Sequence, residues 1–262
     1  MPAHPYLAEA PPVAIAHRGG ALDAPQNSLA AFGRAVDLGY RYLETDCHLT
    51  RDGVLVAVHD DALDDIADRD GVIAELTFDE VREARLLDPD GEPSDERVPT
   101  LEELLVTWPE TRFSIDPKSD DATEPLIVLL DRLGALDRVC VGSFSGTRLD
   151  RVREVFGPAA CTALSPAEVA KLRAASFKVP VGGIGGLVAS VPPSQKLGPG
   201  PEIPIVDERF VASADRFGIH IHVWTIDEAA EMERLLDLGA HGIMTDRPAL
   251  LREVLERRGE WR

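Results

Sequence analysis

Short apolar runs alternate with amphipathic stretches along most of the chain. The run 13–17 (VAIAH) has the pattern of a buried strand, and 27–38 then places its apolar residues on one helical face. Gly39 follows, as glycine often does where a helix ends. A second strand is predicted at 40–49, and after a turn an extended run continues at 54–59. The chain therefore opens with a strand, a helix and a strand.

The same alternation continues through the rest of the sequence. Further strands are predicted at 112–116, 138–143, 160–164, 187–191, 219–225 and 241–245. Further helices are predicted at 121–133, 145–155, 166–175, 207–217, 227–238 and 248–257. With the first two strands this makes eight, each followed by a helix, which implies parallel strands joined by right-handed crossovers. Because a closed (β/α)8 TIM barrel takes about 250 residues, we predict this α/β fold for the 262 residues.

One segment departs from the alternation. Residues 60–98 are irregular and acidic, with a short helix predicted at 78–86. We interpret this segment as an insertion after the second strand, too short for a core of its own, within a single catalytic domain spanning 1–262. The following helix is predicted to begin at Thr100, whose hydroxyl can cap it, with Glu103 three residues on.

Charge and cysteine content limit the classes of partner. Lys and Arg number 27 against 46 Asp and Glu, a net charge of -19, which argues against nucleic acid or an anionic membrane. The three cysteines do not suggest a disulfide framework. No apolar run approaches the roughly 18 residues of a membrane span. We expect a cytoplasmic protein that acts on a small molecule; the oligomeric state is left open.

Polar side chains cluster at the predicted carboxyl ends of the strands, where a barrel of this kind carries its reactive groups. His17 ends the first strand and Arg18 follows it. Glu44 and Asp46 lie two apart on the second strand, so both point to the same side. His59 ends the extended run that follows.

Three more predicted strands end in the same way. Asp116 and Lys118 are again two apart at the end of the third strand, and Trp224 and Asp246 end the seventh and eighth. The carboxylates of Glu44, Asp46 and Asp116 would repel one another unless a hard cation neutralised them. Oxygen ligands suit Mg²⁺, Ca²⁺ or Mn²⁺ better than Zn²⁺. Two histidines remain for proton transfer near neutral pH, which together with the cations suits phosphoryl transfer.

Each feature alone has a structural alternative. A histidine at a strand end is more often structural, Lys118 could simply pair with Asp116, and Trp224 could belong to the core. His48 is predicted to face solvent beyond the second strand, and 182–186 (GGIGG) to form a loop. His220 and His222 lie early on their strand, where a packing role is expected. The joint placement of the other polar residues at strand ends favours a site.

Several segments together resemble the glycerophosphodiester phosphodiesterase family. They are AHRGG (16–20), APQNSLAAF (24–32), YLETDCHLTRDGVLVAVHDDALD (42–64), VPTLEELL (98–105), FSIDPK (113–118) and VWTIDEAAEMERLLDLGAHGIMTDRP (223–248). The resemblance implies a general acid/base pair, a divalent-cation site, two phosphate-binding cations and an aromatic wall for glycerol. It implies that His17 and His59 are the acid/base pair and that Glu44, Asp46 and Asp116 bind the divalent cation. It also implies that Arg18 and Lys118 hold the phosphate and that Trp224 forms the aromatic wall for glycerol.

The resemblance also implies a reaction, and two alternative hypotheses about the function stay open beside it. A glycerol hydroxyl attacks phosphorus, a cyclic phosphate forms as the alcohol leaves, and water opens the ring to glycerol 3-phosphate. The chain departs from the family pattern at Gln26, Asp116 and 65–66, where Glu, Glu and Arg-Thr are common. A non-catalytic glycerophosphate-binding homologue is one alternative. A phosphodiesterase of lysophospholipids or sphingolipids is another; it would call for an apolar cleft, and the sequence shows no exposed apolar or basic amphipathic segment.

Overall fold

Eight parallel strands form the centre of the computed structural model, which describes residues 4–196, 200 and 202–262. They are β1 Val13–His17, β2 Tyr42–Leu49, β3 Arg112–Pro117, β4 Val139–Val141, β5 Cys161–Thr162, β6 Val188–Val191, β7 His220–Val223 and β8 Gly242–Thr245. Their spatial order is β5-β4-β3-β2-β1-β8-β7-β6, and a parallel bridge between Ala163 and Val188 joins the two end strands. The predicted (β/α)8 TIM barrel is confirmed.

A helix follows each barrel strand, and one more lies in the segment after β2. They are α1 Leu29–Asp37, α2 Phe78–Glu83, α3 Leu101–Thr107, α4 Thr123–Leu133, α5 Gly146–Phe156, α6 Pro166–Ser176, α7 Glu208–Phe217, α8 Ala229–Asp237 and α9 Pro248–Arg258. The predicted cap is present: the Thr100 hydroxyl accepts from the Glu103 N–H, and the Glu103 carboxylate accepts from the Thr100 N–H. Within the described ranges no helix is long and apolar enough to cross a bilayer.

Short strands and 3-10 helices lie outside the regular alternation of barrel strands and helices. A strand at Leu55–Ala57 pairs antiparallel with β2, and Ser194–Lys196 pairs antiparallel with Glu202–Pro204. Short 3-10 helices lie at Pro5–Leu7, Ile73–Glu75, Leu136–Arg138 and Gly157–Ala159. The sequence pattern did not predict the second hairpin, because its strands are only three residues long and largely polar.

The segment 60–98 contributes to an apolar cluster separate from that of the barrel. Its eight buried side chains are Leu63, Ile66, Ala67, Ile73, Val81, Ala84, Leu86 and Val98. They pack with Val56 and Val58, which precede the segment in the chain. The cluster is therefore shared with the preceding residues, and the interpretation of 60–98 as an insertion within one domain stays a prediction. The helix of this segment ends earlier than predicted, at Glu83, because Ala84 takes up an extended backbone.

Apolar side chains also fill the barrel below its carboxyl ends. Tyr6, from the N-terminal 3-10 helix, is fully buried there against Tyr42, with ring centroids 5.4 Å apart. His222 is 2% exposed in the same region, and the ring of His220 lies 4.9 Å from that of His241. The packing role predicted for His220 and His222 agrees with this position. The polar side chains predicted to form the site lie at the opposite, carboxyl-terminal end of the strands.

Candidate active site

A cavity of about 320 Å³ opens at the carboxyl ends of the barrel strands. All of the site residues predicted from the sequence line it, namely His17, Arg18, Glu44, Asp46, His59, Asp116, Lys118 and Trp224. Side chains as far apart in the chain as His17 and Trp224 thus meet in one space. The structure brings the whole predicted set together.

The loop after β1 is shaped by two glycines. Arg18, Gly19 and Gly20 have φ angles of 50°, 82° and 103°, a left-handed path that favours glycine. A Cβ atom on Gly19 would lie 2.8 Å from the Phe32 nitrogen, and one on Gly20 would lie 2.6 Å from Pro248 Cγ. The His-Arg-Gly-Gly sequence therefore allows a tight turn against two helices, which holds His17 and Arg18 at the cavity.

His17 is held between two carboxylates. Its Nδ1 lies 2.8 Å from Asp246 Oδ1, and its Nε2 lies 3.8 Å from Glu44 Oε2. Burial alone would lower the pKa of His17, but the charge of Glu44 and the hydrogen bond to Asp246 outweigh burial, and the pKa is raised. Because a carboxylate only accepts, the Asp246 contact places the proton on Nδ1 and directs Nε2 to the cavity.

Asp246 is a functional candidate to which the sequence analysis assigned no role. The Asp246 N–H donates to Asp227 Oδ1 at 2.8 Å, and the Thr245 hydroxyl donates to the same oxygen at 2.9 Å. Asp227 thus secures the backbone that carries Asp246. The signal was available, since Asp246 ends a barrel strand as His17 does.

His59 has a similar arrangement on the other side of the cavity. Its Nδ1 lies 2.8 Å from Asp60 Oδ1, and its side chain is 35% exposed. The carbonyl oxygen of His59 accepts from His48 Nε2 at 3.0 Å. The prediction that His48 lies beyond the second strand is wrong, because β2 continues to Leu49. His48 instead supports the backbone of His59.

The three predicted carboxylates lie on the adjacent strands β2 and β3, with Asp46 directly opposite Asp116 in the ladder. Lys118 Nζ lies 2.7 Å from Asp46 Oδ1 and 2.9 Å from Asp116 Oδ2. Arg18 Nε lies 3.3 Å from Asp46 Oδ2, and the Arg18 N–H donates to Glu44 Oε2 at 3.2 Å. This polar wall, formed by Arg18, Glu44, Asp46, Asp116 and Lys118, therefore places two cationic side chains among three carboxylates.

This wall perturbs the titration of its members. Burial, followed by the charge of Asp46, raises the pKa of Glu44 to about 7. Burial also raises the pKa of Asp116, against the opposing charge of Lys118. In 4–196, 200 and 202–262, no three His, Cys, Asp or Glu side chains are grouped closely enough to hold a metal ion as they stand.

The opposite wall of the cavity is apolar. Its side chains come from the end of β6 and from loops and helices after β4, β5 and β6, and include Phe144, Leu164, Pro166, Val169, Val191 and Ile205. Phe144 is 72% exposed, and its ring meets that of Trp224 edge to face, with centroids 6.1 Å apart. This wall was not predicted from the sequence, because apolar residues just beyond a strand have the same pattern as ordinary core residues.

Histidines, carboxylates and cationic side chains together at the carboxyl end of a TIM barrel form a candidate enzyme site suited to phosphate esters. Residues 17–250 match the model of the Glycerophosphoryl diester phosphodiesterase family. The chain is 36% identical to "Probable glycerophosphodiester phosphodiesterase 2" of Mycobacterium tuberculosis, over 95% of this chain and 92% of that protein. The chain belongs to this family, and it is a phosphodiesterase that hydrolyses glycerophosphodiesters.

Two further proteins are similar to the chain. The chain is 30% identical to Lysophospholipase D GDPD1 of Mus musculus, over 92% of this chain and 85% of that protein. The solved structure of an Oleispira antarctica phosphodiesterase, in complex with the product sn-glycerol-3-phosphate, is similar with a TM-score of 0.75. It is 20% identical, with 94% of this chain and 97% of that one covered, so this likeness supports the fold.

Proposed function

We propose that the chain cleaves glycerophosphodiesters into glycerol 3-phosphate and an alcohol, with His17 and His59 as the general acid/base pair. The observation that carries the proposal is their shared cavity, in which each ring has a carboxylate on Nδ1. The carboxylates of Asp246 and Asp60 leave both Nε2 atoms for the substrate. One ring accepts the proton of the attacking hydroxyl, and the other donates a proton to the leaving alkoxide.

Arg18 and Lys118 bind the phosphate in this proposal. Both cations line the cavity, and both already contact the Asp46 carboxylate. A guanidinium and an ammonium beside the phosphorus would stabilise charge that develops on its non-bridging oxygens. Trp224 lines the same space, and we assign its ring to the glycerol. The product bound to the Oleispira antarctica relative supports glycerol 3-phosphate as a ligand of such a site.

Glu44, Asp46 and Asp116 would hold a divalent cation, Mg²⁺, Ca²⁺ or Mn²⁺. The donor set is all oxygen, which these hard cations prefer. Asp46 Oδ2 is buried and accepts no hydrogen bond from the described residues, although it lies 3.3 Å from the Arg18 Nε with which it forms an ion pair. A cation bound there would add Lewis-acid stabilisation of a phosphoryl oxygen. Lys118 contacts two of the same carboxylates with a single positive charge, which leaves the group of three with an excess of negative charge and supports a cation site.

Metal removal tests this proposal. The protein is stripped with a chelator and assayed for glycerol 3-phosphate release from glycerophosphocholine, before and after Mg²⁺, Ca²⁺ or Mn²⁺ is added back. We expect activity to be lost and restored, and Asp46→Asn to remain inactive. Asp150→Asn is the control, because the Asp150 side chain is 76% exposed on α5. Full activity after chelation would refute the metal role, and binding of glycerophosphocholine without turnover would indicate the non-catalytic alternative.

A second candidate substrate class is supported by the apolar wall. A diester with an acyl chain could place that chain against Phe144, Val169 and Ile205, which a short polar diester would leave in water. The mouse relative named lysophospholipase D is compatible with such a substrate. The discriminating measurement is the ratio of kcat/KM for lysophosphatidylcholine to that for glycerophosphocholine. If acyl chains bind here, Phe144→Ala lowers this ratio and Phe177→Ala, a 55% exposed control, leaves it unchanged.

We also propose a cytoplasmic location. Cys47, Cys140 and Cys161 are free and buried, as suits a protein in a reducing compartment.

A further inference from the structure

Asn27 connects the loop after β1 to the strand β2. The Asn27 N–H donates to the Arg18 carbonyl oxygen at 2.9 Å. Its side-chain Oδ1 accepts from the Thr45 hydroxyl at 2.7 Å. Asn27 is 2% exposed and Thr45 is completely buried. One residue therefore bonds both to the loop that carries Arg18 and to the strand that carries Glu44 and Asp46.

The position of Thr45 explains how its hydrogen bond to Asn27 can affect the cavity. Thr45 stands between Glu44 and Asp46 on β2, and successive side chains of a strand point to opposite faces. The two carboxylates line the cavity, so the hydroxyl of Thr45 points away from it, toward Asn27. The hydrogen bond from Thr45 to Asn27 consequently restrains β2 between the two carboxylates, on the face of the strand that points away from the cavity.

The backbone of Asn27 is also specialised. Its φ angle is 57°, in the left-handed region that asparagine tolerates better than most residues. This conformation turns the chain so that the Asn27 N–H can reach Arg18 while its amide oxygen reaches Thr45. Neither Asn27 nor Thr45 is among the described residues that line the cavity.

We infer that Asn27 and Thr45 form a clamp that sets the position of Arg18 relative to Glu44 and Asp46. Both are positioning residues that act through these three side chains. The inference rests on the proposed function for the roles of Arg18, Glu44 and Asp46. It adds two specific residues and one hydrogen bond on which the phosphate and cation sites depend.

Thr45→Val tests the clamp, because valine keeps the shape of threonine and replaces the hydroxyl, which donates to Asn27 Oδ1, with a methyl group. Two quantities are measured: kcat for glycerophosphocholine, and the Mg²⁺ concentration at half-maximal thermal stabilisation without substrate. Loss of a partner that orients ligands costs about 10- to 100-fold in metal affinity or activity. We expect kcat to fall, and the Mg²⁺ midpoint to rise, by about this factor.

Thr162→Val is the matched control. Thr162 is a buried barrel threonine whose hydroxyl accepts from Arg153 Nε at 2.8 Å, on the other side of the barrel. We expect this variant to lower the Tm while leaving the Mg²⁺ midpoint and kcat within about twofold, since distant sites act independently. Asn27→Gly removes the amide and tolerates the positive φ of this position, so it should reproduce the effect of Thr45→Val. The double variant should add little, because both changes break the same hydrogen bond.

The outcomes separate the clamp from the proposed function. If Thr45→Val retains both the wild-type midpoint and the wild-type kcat, the clamp is wrong. If wild-type Tm does not respond to Mg²⁺ but the enzyme is active, the metal site fails and kcat alone decides the clamp. If wild type is inactive but binds Mg²⁺, the midpoint decides. Absence of both wild-type responses overturns the clamp as well, because there is then nothing for it to position.

Discussion

Where the barrel closes, one guanidinium binds two carboxylates of very different burial. Arg153 donates to Glu168 Oε2 at 3.0 Å and to Asp150 Oδ1 at 3.2 Å. Glu168 is 6% exposed, whereas the Asp150 side chain is 76% exposed. Glu168→Ala and Asp150→Ala each remove one ion-pair partner of the same arginine. The first variant removes a buried carboxylate and the second an exposed one.

The contacts of Glu168 determine the expected loss. Its carboxylate also accepts from the N–H groups of Gly185, at 2.6 Å, and Ser165, at 2.8 Å. These bonds join α6 to the loop that leads into β6, beside the single bridge between Ala163 and Val188 that closes the barrel. Removing one member of a buried ion pair costs about 3–5 kcal/mol. Because the Arg153 side chain is 19% exposed, we expect the lower end, about 3 kcal/mol.

The exposed partner should matter far less. Surface ion pairs contribute about 0–1 kcal/mol, so Asp150→Ala should be nearly neutral. For a protein of this size, 1 kcal/mol corresponds to roughly 2–4 °C, and Glu168→Ala should lower the Tm by roughly 6–12 °C. Free energies of unfolding from urea titrations at pH 7 measure both. Equal losses for the two variants, or a loss below about 1 kcal/mol for Glu168→Ala, would refute the argument.

The same pair has a pH signature. Burial would raise the pKa of Glu168, but the Gly185, Ser165 and Arg153 bonds outweigh it and hold the pKa below its ordinary value of 4.5. Its stabilisation is therefore present above pH 4.5 and is lost as the pH falls through the lowered value. The stability difference between wild type and Glu168→Ala should shrink over that acid range.

Three further predictions concern the site and the barrel interior. Asp246→Asn should lower kcat by about 10²-fold or more, because a neutral amide can present its NH₂ donor to His17 Nδ1 and no longer enforces the tautomer with the proton on Nδ1; steady-state kinetics with unchanged circular dichroism check this, and an unchanged kcat contradicts it. Gly20→Ala should cost about 1–3 kcal/mol in urea unfolding, since its Cβ meets Pro248 and its φ is positive; wild-type stability would be inconsistent with the loop geometry. Burial, followed by nearby His220 and His241, lowers the pKa of His222 to about 3, so stability falls with pH below about 6.5, where the unfolded chain binds the proton first. His222→Gln should lose less stability between pH 6.5 and 5, by up to about 2 kcal/mol, and a parallel loss in both proteins would argue against this.

Much of the fold could be predicted because strand and helix periods differ along the chain. The strands were recognised from continuous apolar runs, and their number from regular spacing. Element ends were less accurate: the predicted strand 138–143 is reduced to Val139–Val141, because ladder pairing ends where the loop toward Phe144 begins. The end of a strand depends on the local backbone conformation, and the pattern of apolar residues does not indicate that conformation.

The polar wall of the site was predicted for a geometrical reason. Parallel strands in a barrel end at one face, so polar residues at several strand ends must meet. What remained hidden depends on contacts between distant residues, such as the bonds of Asp246 to His17 and of Thr45 to Asn27. The apolar wall was also missed, because Val169 and Ile205 face the cavity only through the packing of α6 and the loop after β6.

The most direct test of the account is a ³¹P NMR measurement of glycerophosphocholine hydrolysis by wild type, His17→Ala and His59→Ala. The account predicts that the diester resonance is replaced by that of glycerol 3-phosphate with wild type and persists with either variant, while all three proteins keep the same fold by circular dichroism. Wild-type rates in both variants would contradict the assignment of His17 and His59 as the acid/base pair.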